Sequence, residues 1–120
     1  MRSNTLKARI ANGERAINAW CSIASSHVAE AIAHQGVDSV TIDLQHGALD
    51  FAAACHMLQG VSTSPAIPLV RVPWNEPGII MKCLDAGFSG LICPMINTAA
   101  DARRLVEAAR YAPLGGRSFG

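Results

Sequence analysis

The sequence has no marked excess of charge of either sign. Ten Lys and Arg stand against nine Asp and Glu, leaving a formal net charge of +1. That balance excludes the electrostatic footprint of a nucleic-acid-binding domain and leaves no polybasic patch for an anionic membrane. No apolar run approaches the roughly 18 residues that a membrane-spanning helix needs. The polar lead from Met1 to Arg15 contains no apolar signal core. The expectation is a soluble, cytoplasmic chain with no nucleic-acid or membrane partner. Aromatic residues make up only 5% and charged residues 16%, yet half of all residues are hydrophobic. Such a composition suits a compact aliphatic core and argues against disorder. Cys21, Cys55, Cys83 and Cys93 lack the CxxC spacing of a metal site. They lie inside apolar segments and read as buried free thiols.

What is present is one pattern written four times. Ala19 to Ala24 is short and apolar, as a buried strand would be. Helical spacing follows from Val28 to His34, with Val28, Ala31 and Ile32 on one face, Ser25 or Ser26 as N-cap and Gly36 as stop. Ser39 to Leu44 is rich in β-branched residues. A loop through Gln45-His46-Gly47 leads to a helix from about Asp50 to Val61, with Ala54, Met57, Leu58 and Val61 on one side. The third strand is Ile67 to Val72, and one of the two prolines of the loop Pro73-Trp74-Asn75-Glu76-Pro77 is placed to open the next helix, which ends at Gly87. The fourth strand is Gly90 to Met95. The last helix runs from Ala99 to Tyr111, with Ala102, Leu105, Val106 and Ala109 on its apolar face.

Helical crossovers imply parallel pairing. Two closures satisfy the pattern: a flavodoxin-like sheet, or the first half of a (β/α)₈ barrel of roughly 250 residues. The absence of a fifth strand and the stop at Gly120 inside a glycine-rich stretch favour a barrel truncated after four βα units. The whole chain, 1–120, is read as the N-terminal half of one barrel domain.

In parallel α/β folds reactive groups collect just beyond the C-terminal ends of strands. Asp43 ends the second strand, where a carboxylate is costly to bury without a partner. His46, three residues on, has the chemistry of a general base near neutral pH. The alternative is that Asp43 binds loop amides and His46 only shapes the turn. Arg71 sits between Val70 and Val72 in the third strand and needs an anion there. A substrate carboxylate fits its two-pronged donor geometry; a structural ion pair with Asp43 or another barrel acid fits equally. Trp20 and Trp74 could line a pocket or simply pack. His27, His34 and His56 lie on helices without metal-type spacing. Gly115-Gly116-Arg117 reads as a plain turn in preference to an anion-binding loop.

Several ordered strings point further. Val40-Thr41-Ile42-Asp43-Leu44-Gln45-His46-Gly47 and Leu69-Val70-Arg71-Val72-Pro73-Trp74-Asn75 resemble the HpcH/HpaI aldolase family. Leu84-Asp85-Ala86-Gly87, Cys93-Pro94-Met95, Arg110-Tyr111-Ala112-Pro113 and Gly116-Arg117-Ser118-Phe119-Gly120 continue the match in order. The resemblance covers about residues 14 to 120. It implies a (β/α)₈ barrel assembled as a homo-oligomer, a hexamer in the family. It implies a class II lyase that cleaves 4-hydroxy-2-oxo acids reversibly to pyruvate, or hydroxypyruvate, and an aldehyde. A divalent metal (Mg²⁺, Mn²⁺ or Co²⁺) is implied as cofactor. The resemblance assigns the catalytic base to His46, the carboxylate and enolate clamp to Arg71, a supporting acid to Asp85, a supporting role around the site to Asp43, and a pocket wall to Trp20. Asp85 closes a helix at the far end of the barrel, so it is expected to reach a His46 only across a subunit boundary.

Two departures follow from the same comparison. Many members carry Gly-Glu before the histidine, where this chain has Leu44-Gln45. The family's two acidic metal ligands follow later strands, so they are expected beyond residue 120 and no metal ligand is assigned within this chain. The competing expectation is a fragment or pseudo-enzyme without catalysis.

Overall fold

The computed structural model describes residues 3–119; Met1, Arg2 and Gly120, on which parts of the sequence reading fell, lie outside the described residues. The β-branched segments form four strands: β1 (Asn18–Cys21), β2 (Ser39–Asp43), β3 (Ile67–Arg71) and β4 (Gly90–Ile92). Five helices accompany them: α1 (Thr5–Ala11), α2 (Ser26–Ala33), α3 (Phe51–Ser62), α4 (Pro77–Ala86) and α5 (Ala99–Ala109). The sheet order is β1-β2-β3-β4, with every pair parallel. A flavodoxin-like sheet reverses direction beside its first strand; this one does not, and each crossover advances the same way. The architecture is the first four βα units of a (β/α)₈ barrel.

The strand faces divide by alternation. Val40 and Ile42 of β2, and Val70 of β3 with Val72 just beyond it, face the helices and join Ala54, Met57, Val61, Ile80 and Cys83 in one core. Ser39, Thr41 and Asp43 point the other way, into the barrel interior. Ser39 and Thr41 are fully buried there. Both hydroxyls donate to Asn18 Oδ1 of β1 at 2.9 Å, so this layer satisfies its own polar groups.

Most helix boundaries follow from caps. Ser25, Asp50, Glu76 and Thr98 accept from backbone N–H groups in the first turns of α2, α3, α4 and α5. Gly87 ends α4 in the left-handed conformation, φ +110°. Four expectations are corrected. The polar lead contains a helix, α1, capped by Asn4. Asn4 Nδ2 bonds Ser89 O and Arg9 pairs with Asp38 at 2.8 Å, so α1 lies across the N-terminal ends of the strands. On α2 Val28 and Ile32 pack against the core as expected, but Ala31 is exposed and the fully buried residues are Ala29 and Ala33. On α5 Leu105 and Ala109 pack inward as expected, but Ala102 and Val106 are exposed and the buried residue is Ala108. Strand β4 stops at Ile92, three residues early, because Pro94 cannot donate to a ladder and Met95 adopts φ +57°. All four cysteines are free; Cys21 and Cys83 are buried, while Cys55 and Cys93 are half-buried. Burial pushes the Cys83 thiol up to about 12, with Cys55 adding a smaller effect in the same direction.

Candidate functional site

The C-terminal ends of β1, β2 and β3 converge on one carboxylate. Parallel register sets Asp43 directly opposite Arg71. Arg71 Nε donates to Asp43 Oδ1 at 2.9 Å and Nη2 donates to Oδ2 at 2.6 Å. Trp20 Nε1 donates to the same Oδ2 at 3.2 Å, and its ring lies 4.9 Å from the guanidinium carbon. The backbone N–H groups of Gln45 and His46 donate to Oδ1 at 3.0 and 3.2 Å. Five hydrogen bonds therefore hold a carboxylate that is only 2% exposed. The guanidinium is the main cause of a pKa well below the usual carboxylate range. The Trp20, His46 and Gln45 donors reinforce it against the opposing effect of burial. Asp43 is a fixed anion, and Arg71 is reinforced as a cation by the same pair.

The geometry of this pair bears on both roles left open for Arg71. Asp43 occupies the Nε–Nη2 edge of the guanidinium. The Nη1–Nη2 edge takes no partner among the described residues, and the side chain keeps 23% of its surface in solvent. Since the fork carries five donors, the structural ion pair and an external carboxylate are compatible on one side chain.

His46 stands in the turn directly after β2 and is exposed. The turn is tightly built. Gly47 N–H donates to the Asp43 carbonyl, and Ala48 N–H donates to Ser22 O in the β1–α2 loop. A Cβ on Gly47 would fall 2.2 Å from the Asp43 carbonyl oxygen. Asp43 therefore fixes both the arginine and the turn that carries the histidine. Gln45 is half-buried beside them. Trp74 follows β3 and is 57% exposed at the same end of the sheet.

Asp85 is not part of this cluster within one chain. It lies in the last turn of α4, whose first turn is at the mouth; eight residues at 1.5 Å each place it about 12 Å further down. Its carboxylate pairs with Arg117 Nη2 at 2.5 Å. Arg117 was missed as an anchor: its guanidinium also stacks 4.5 Å from the Tyr111 ring. The signal was present, a lone arginine after two glycines, but nothing local names its partner 32 residues away. Gly115 and Gly116 pack against the end of α5, where the Gly116 amide donates to Glu107 O. A plain turn, as expected, accounts for them. His27, His34 and His56 are exposed on helices.

The implied divalent metal does not fit this chain's residues alone. Among the described residues no group of three or more His, Cys, Asp or Glu side chains is placed to hold an ion. Asp43, at the end of β2, has its oxygens taken by donors, and Asp50 and Glu76 in the following loops cap α3 and α4. No helix among the described residues is long and apolar enough to cross a membrane.

Comparison with known proteins agrees with this arrangement. Over 108 residues the chain is 44% identical to a hydroxypyruvate/pyruvate aldolase from Rhizorhabdus wittichii, covering 90% of this chain and 43% of that protein. It is 37% identical over 117 residues to a 4-hydroxy-2-oxo-heptane-1,7-dioate aldolase from Escherichia coli, covering 98% and 45%. A solved HpcH/HpaI aldolase/citrate lyase family protein from Burkholderia cenocepacia superposes with a TM-score of 0.92 at 34% identity, covering 98% and 49%. An HpcH/HpaI aldolase from Desulfitobacterium hafniense superposes at 0.86 and 26% identity, covering 96% and 45%. The chain thus spans a little under half the length of these relatives. The family described as HpcH/HpaI aldolase/citrate lyase matches residues 17–119, and the chain belongs to that family.

Proposed function

We propose that the complete barrel built on these residues is a carbon–carbon lyase that cleaves 4-hydroxy-2-oxo acids to pyruvate, or hydroxypyruvate, and an aldehyde. One observation carries the reading: Arg71, the last residue of β3, holds Asp43 through one edge and keeps a second edge that has no partner among the described residues, while His46 follows the end of the neighbouring strand β2. That edge matches a carboxylate with two hydrogen bonds. Next to it, positive charge would favour the negative charge that develops on the adjacent keto oxygen as an enolate forms.

In the cleavage direction the C4 hydroxyl gives its proton to the base and its oxygen becomes the aldehyde carbonyl. The C3–C4 bond breaks, and its electron pair passes into the enolate of pyruvate. Return of a proton to C3 gives pyruvate, so atoms and charge balance without an oxidant or reductant. His46 is the group of suitable chemistry at this end of the sheet, and its exposed position gives it access to either proton. Trp20 and Asp43 hold Arg71 in one orientation, which removes the rotamer freedom that binding would otherwise have to freeze.

Three further assignments belong to the same proposal. A divalent cation, Mg²⁺, Mn²⁺ or Co²⁺, would draw its ligands from outside these 120 residues. Asp85 would act toward the site of a neighbouring copy in a homo-oligomer. Cytoplasmic residence suits an enzyme of small soluble metabolites.

Pyruvate release from a 4-hydroxy-2-oxo acid tests the reading. His46→Ala is expected to lower kcat by about 100-fold or more while leaving the circular-dichroism spectrum unchanged. Unaltered turnover in that variant would remove His46 from the mechanism.

A further inference from the structure

Helices α3 and α4 lie side by side on the outer flank of the sheet, and two contacts fix how they are aligned. The helical repeat puts Phe51, Cys55, Leu58 and Ser62 on one side of α3. Near the start of α3 the Lys82 ammonium lies 5.7 Å from the Phe51 ring. Further down the seam, Leu58 Cδ2 stands 3.9 Å from where a Cβ on Gly87 would be. Cys55 lies between these two contacts on α3, and Cys83 lies between them on α4. Cys55 and Ala86 border the same groove of about 450 Å³, and Cys83 is one turn from Ala86 along α4.

The two thiols differ in access. Cys83 is fully buried, whereas Cys55 is half-buried beside the groove. Burial is the main cause that pushes the Cys83 thiol up, and charge on Cys55 adds to it. The second cause agrees with the alignment of the helices, since it requires the two sulfurs to lie within reach of each other. Cys83 therefore stays protonated, and Cys55 is the thiol that a small oxidant in solvent meets. The other two cysteines belong elsewhere: Cys21 ends β1 and Cys93 follows β4, at the two edges of the four strands. The Cys93 thiol is turned to the Pro94 carbonyl at 3.8 Å.

We propose that Cys55 and Cys83 are a dithiol oxidation site, which hydrogen peroxide converts to a disulfide joining α3 to α4. The Cys55 thiolate attacks one peroxide oxygen and the O–O bond breaks. The departing hydroxide takes up the proton that Cys55 released and leaves as water, and Cys55 becomes a sulfenic acid. The Cys83 sulfur then attacks the Cys55 sulfur and the S–O bond breaks. The Cys83 proton leaves with the hydroxyl as a second water. Both thiols are oxidised and the peroxide is reduced to water, so atoms and electrons balance. A small thiol reverses the bridge by exchange. Helix α3 follows the His46 turn and α4 follows the strand that ends in Arg71, so the bridge ties together the two units that carry those residues. The site is on the flank of the sheet and does not depend on the lyase reading.

The test treats the complete barrel carrying these residues with hydrogen peroxide, blocks the remaining thiols, and maps its peptides without reductant. The dose is raised until Met95, which is 58% exposed, is converted to its sulfoxide. The expected product is one species in which the Cys55 and Cys83 peptides are joined, lost again on treatment with dithiothreitol. Cys55→Ser should abolish the joined species and leave Cys83 reduced. Cys83→Ser should halt the reaction at a Cys55 sulfenic acid, which dimedone traps. Should that buried substitution prevent folding, the wild-type map and Cys55→Ser still decide. Both thiols unchanged at that dose would overturn the proposal. So would a bridge from Cys55 to another cysteine, or Cys55 advanced to the sulfinic acid while Cys83 stays reduced.

Discussion

Asp43 and Arg71 face each other across adjacent parallel strands and share two hydrogen bonds, of 2.9 and 2.6 Å, through the Nε–Nη2 edge of the arginine. One carboxylate thereby orients the cation at the end of β3 and the turn after β2. Removing it should have two effects at once. Asp43→Ala leaves Arg71 without its partner and strips acceptors from the Gln45 and His46 amides. We expect a stability loss of about 3 kcal/mol, the lower end for breaking a buried pair because Arg71 keeps contact with water. Urea titration reads that loss. Asp43→Asn should retain more stability and still lose most of its turnover, since an amide has one accepting oxygen and sets an N–H group against the remaining donors.

The pH dependence of stability carries the same signature. The folded pKa of Asp43 lies below its unfolded value of about 3.9. The unfolded state therefore binds the proton first. The contribution of the pair is fully present above about pH 5 and is lost as pH falls from about 4 toward the folded value. Urea midpoints for wild type and Asp43→Asn should differ by a constant amount from pH 5 to 7 and converge below pH 4. Convergence already near pH 6 would show that the carboxylate is not held as an anion by Arg71.

Gly47 offers a backbone test of the turn. A methyl group there would meet the Asp43 carbonyl oxygen at 2.2 Å, with Ser22 Cα at 3.3 Å on another side. The tip of Leu49, whose Cδ2 lies at 3.0 Å, can give way, but the two backbone neighbours cannot. Gly47→Ala should cost about 1–3 kcal/mol and should lower kcat as well, because relief of the clash moves His46. Stability measured by thermal unfolding, alongside the rate, separates this from an ordinary surface substitution, which would change neither.

The segment after α5 is pinned by Arg117, which pairs with Asp85 and lies over Tyr111. Its side chain is 12% exposed, and its Nε finds no acceptor among the described residues. Arg117→Met should cost about 1–2 kcal/mol, less than a fully satisfied arginine would, because the substitution also removes an unpaired buried donor. Limited proteolysis should then cut between Tyr111 and Phe119 faster than in the wild type.

Much of this was legible in the sequence because the determinants are local. Asp50 and Thr98 cap helices where side-chain oxygens precede helical periodicity, and Pro77 and Gly87 bracket α4. The stripe Ala54, Met57, Leu58, Val61 of α3 is buried as its spacing required. Helix α1 escaped because seven residues with one buried side chain, Leu6, give almost no periodic signal. On α2 and α5 the larger residues Val28, Ile32 and Leu105 pack inward as read, but Ala31 and Ala102 do not, because alanine is placed on either side of a helix with little penalty, so packing decides. At the site, residue types suggested two partners for Arg71 as rivals. Only the assignment of edges on the guanidinium shows that both can be accommodated. The role of Trp20 as a donor to Asp43 depends on a contact across 23 residues that no local pattern encodes.

The free edge of Arg71 is tested most directly by the kinetics of Arg71→Lys in the complete barrel, with pyruvate release from a 4-hydroxy-2-oxo acid as the readout. Lysine keeps the charge but cannot hold Asp43 by one edge and a substrate carboxylate by another. The account predicts a fall in kcat/KM of roughly a hundredfold, about 2–3 kcal/mol of lost interaction, with KM raised and the fold intact. A kcat/KM within twofold of wild type would contradict it.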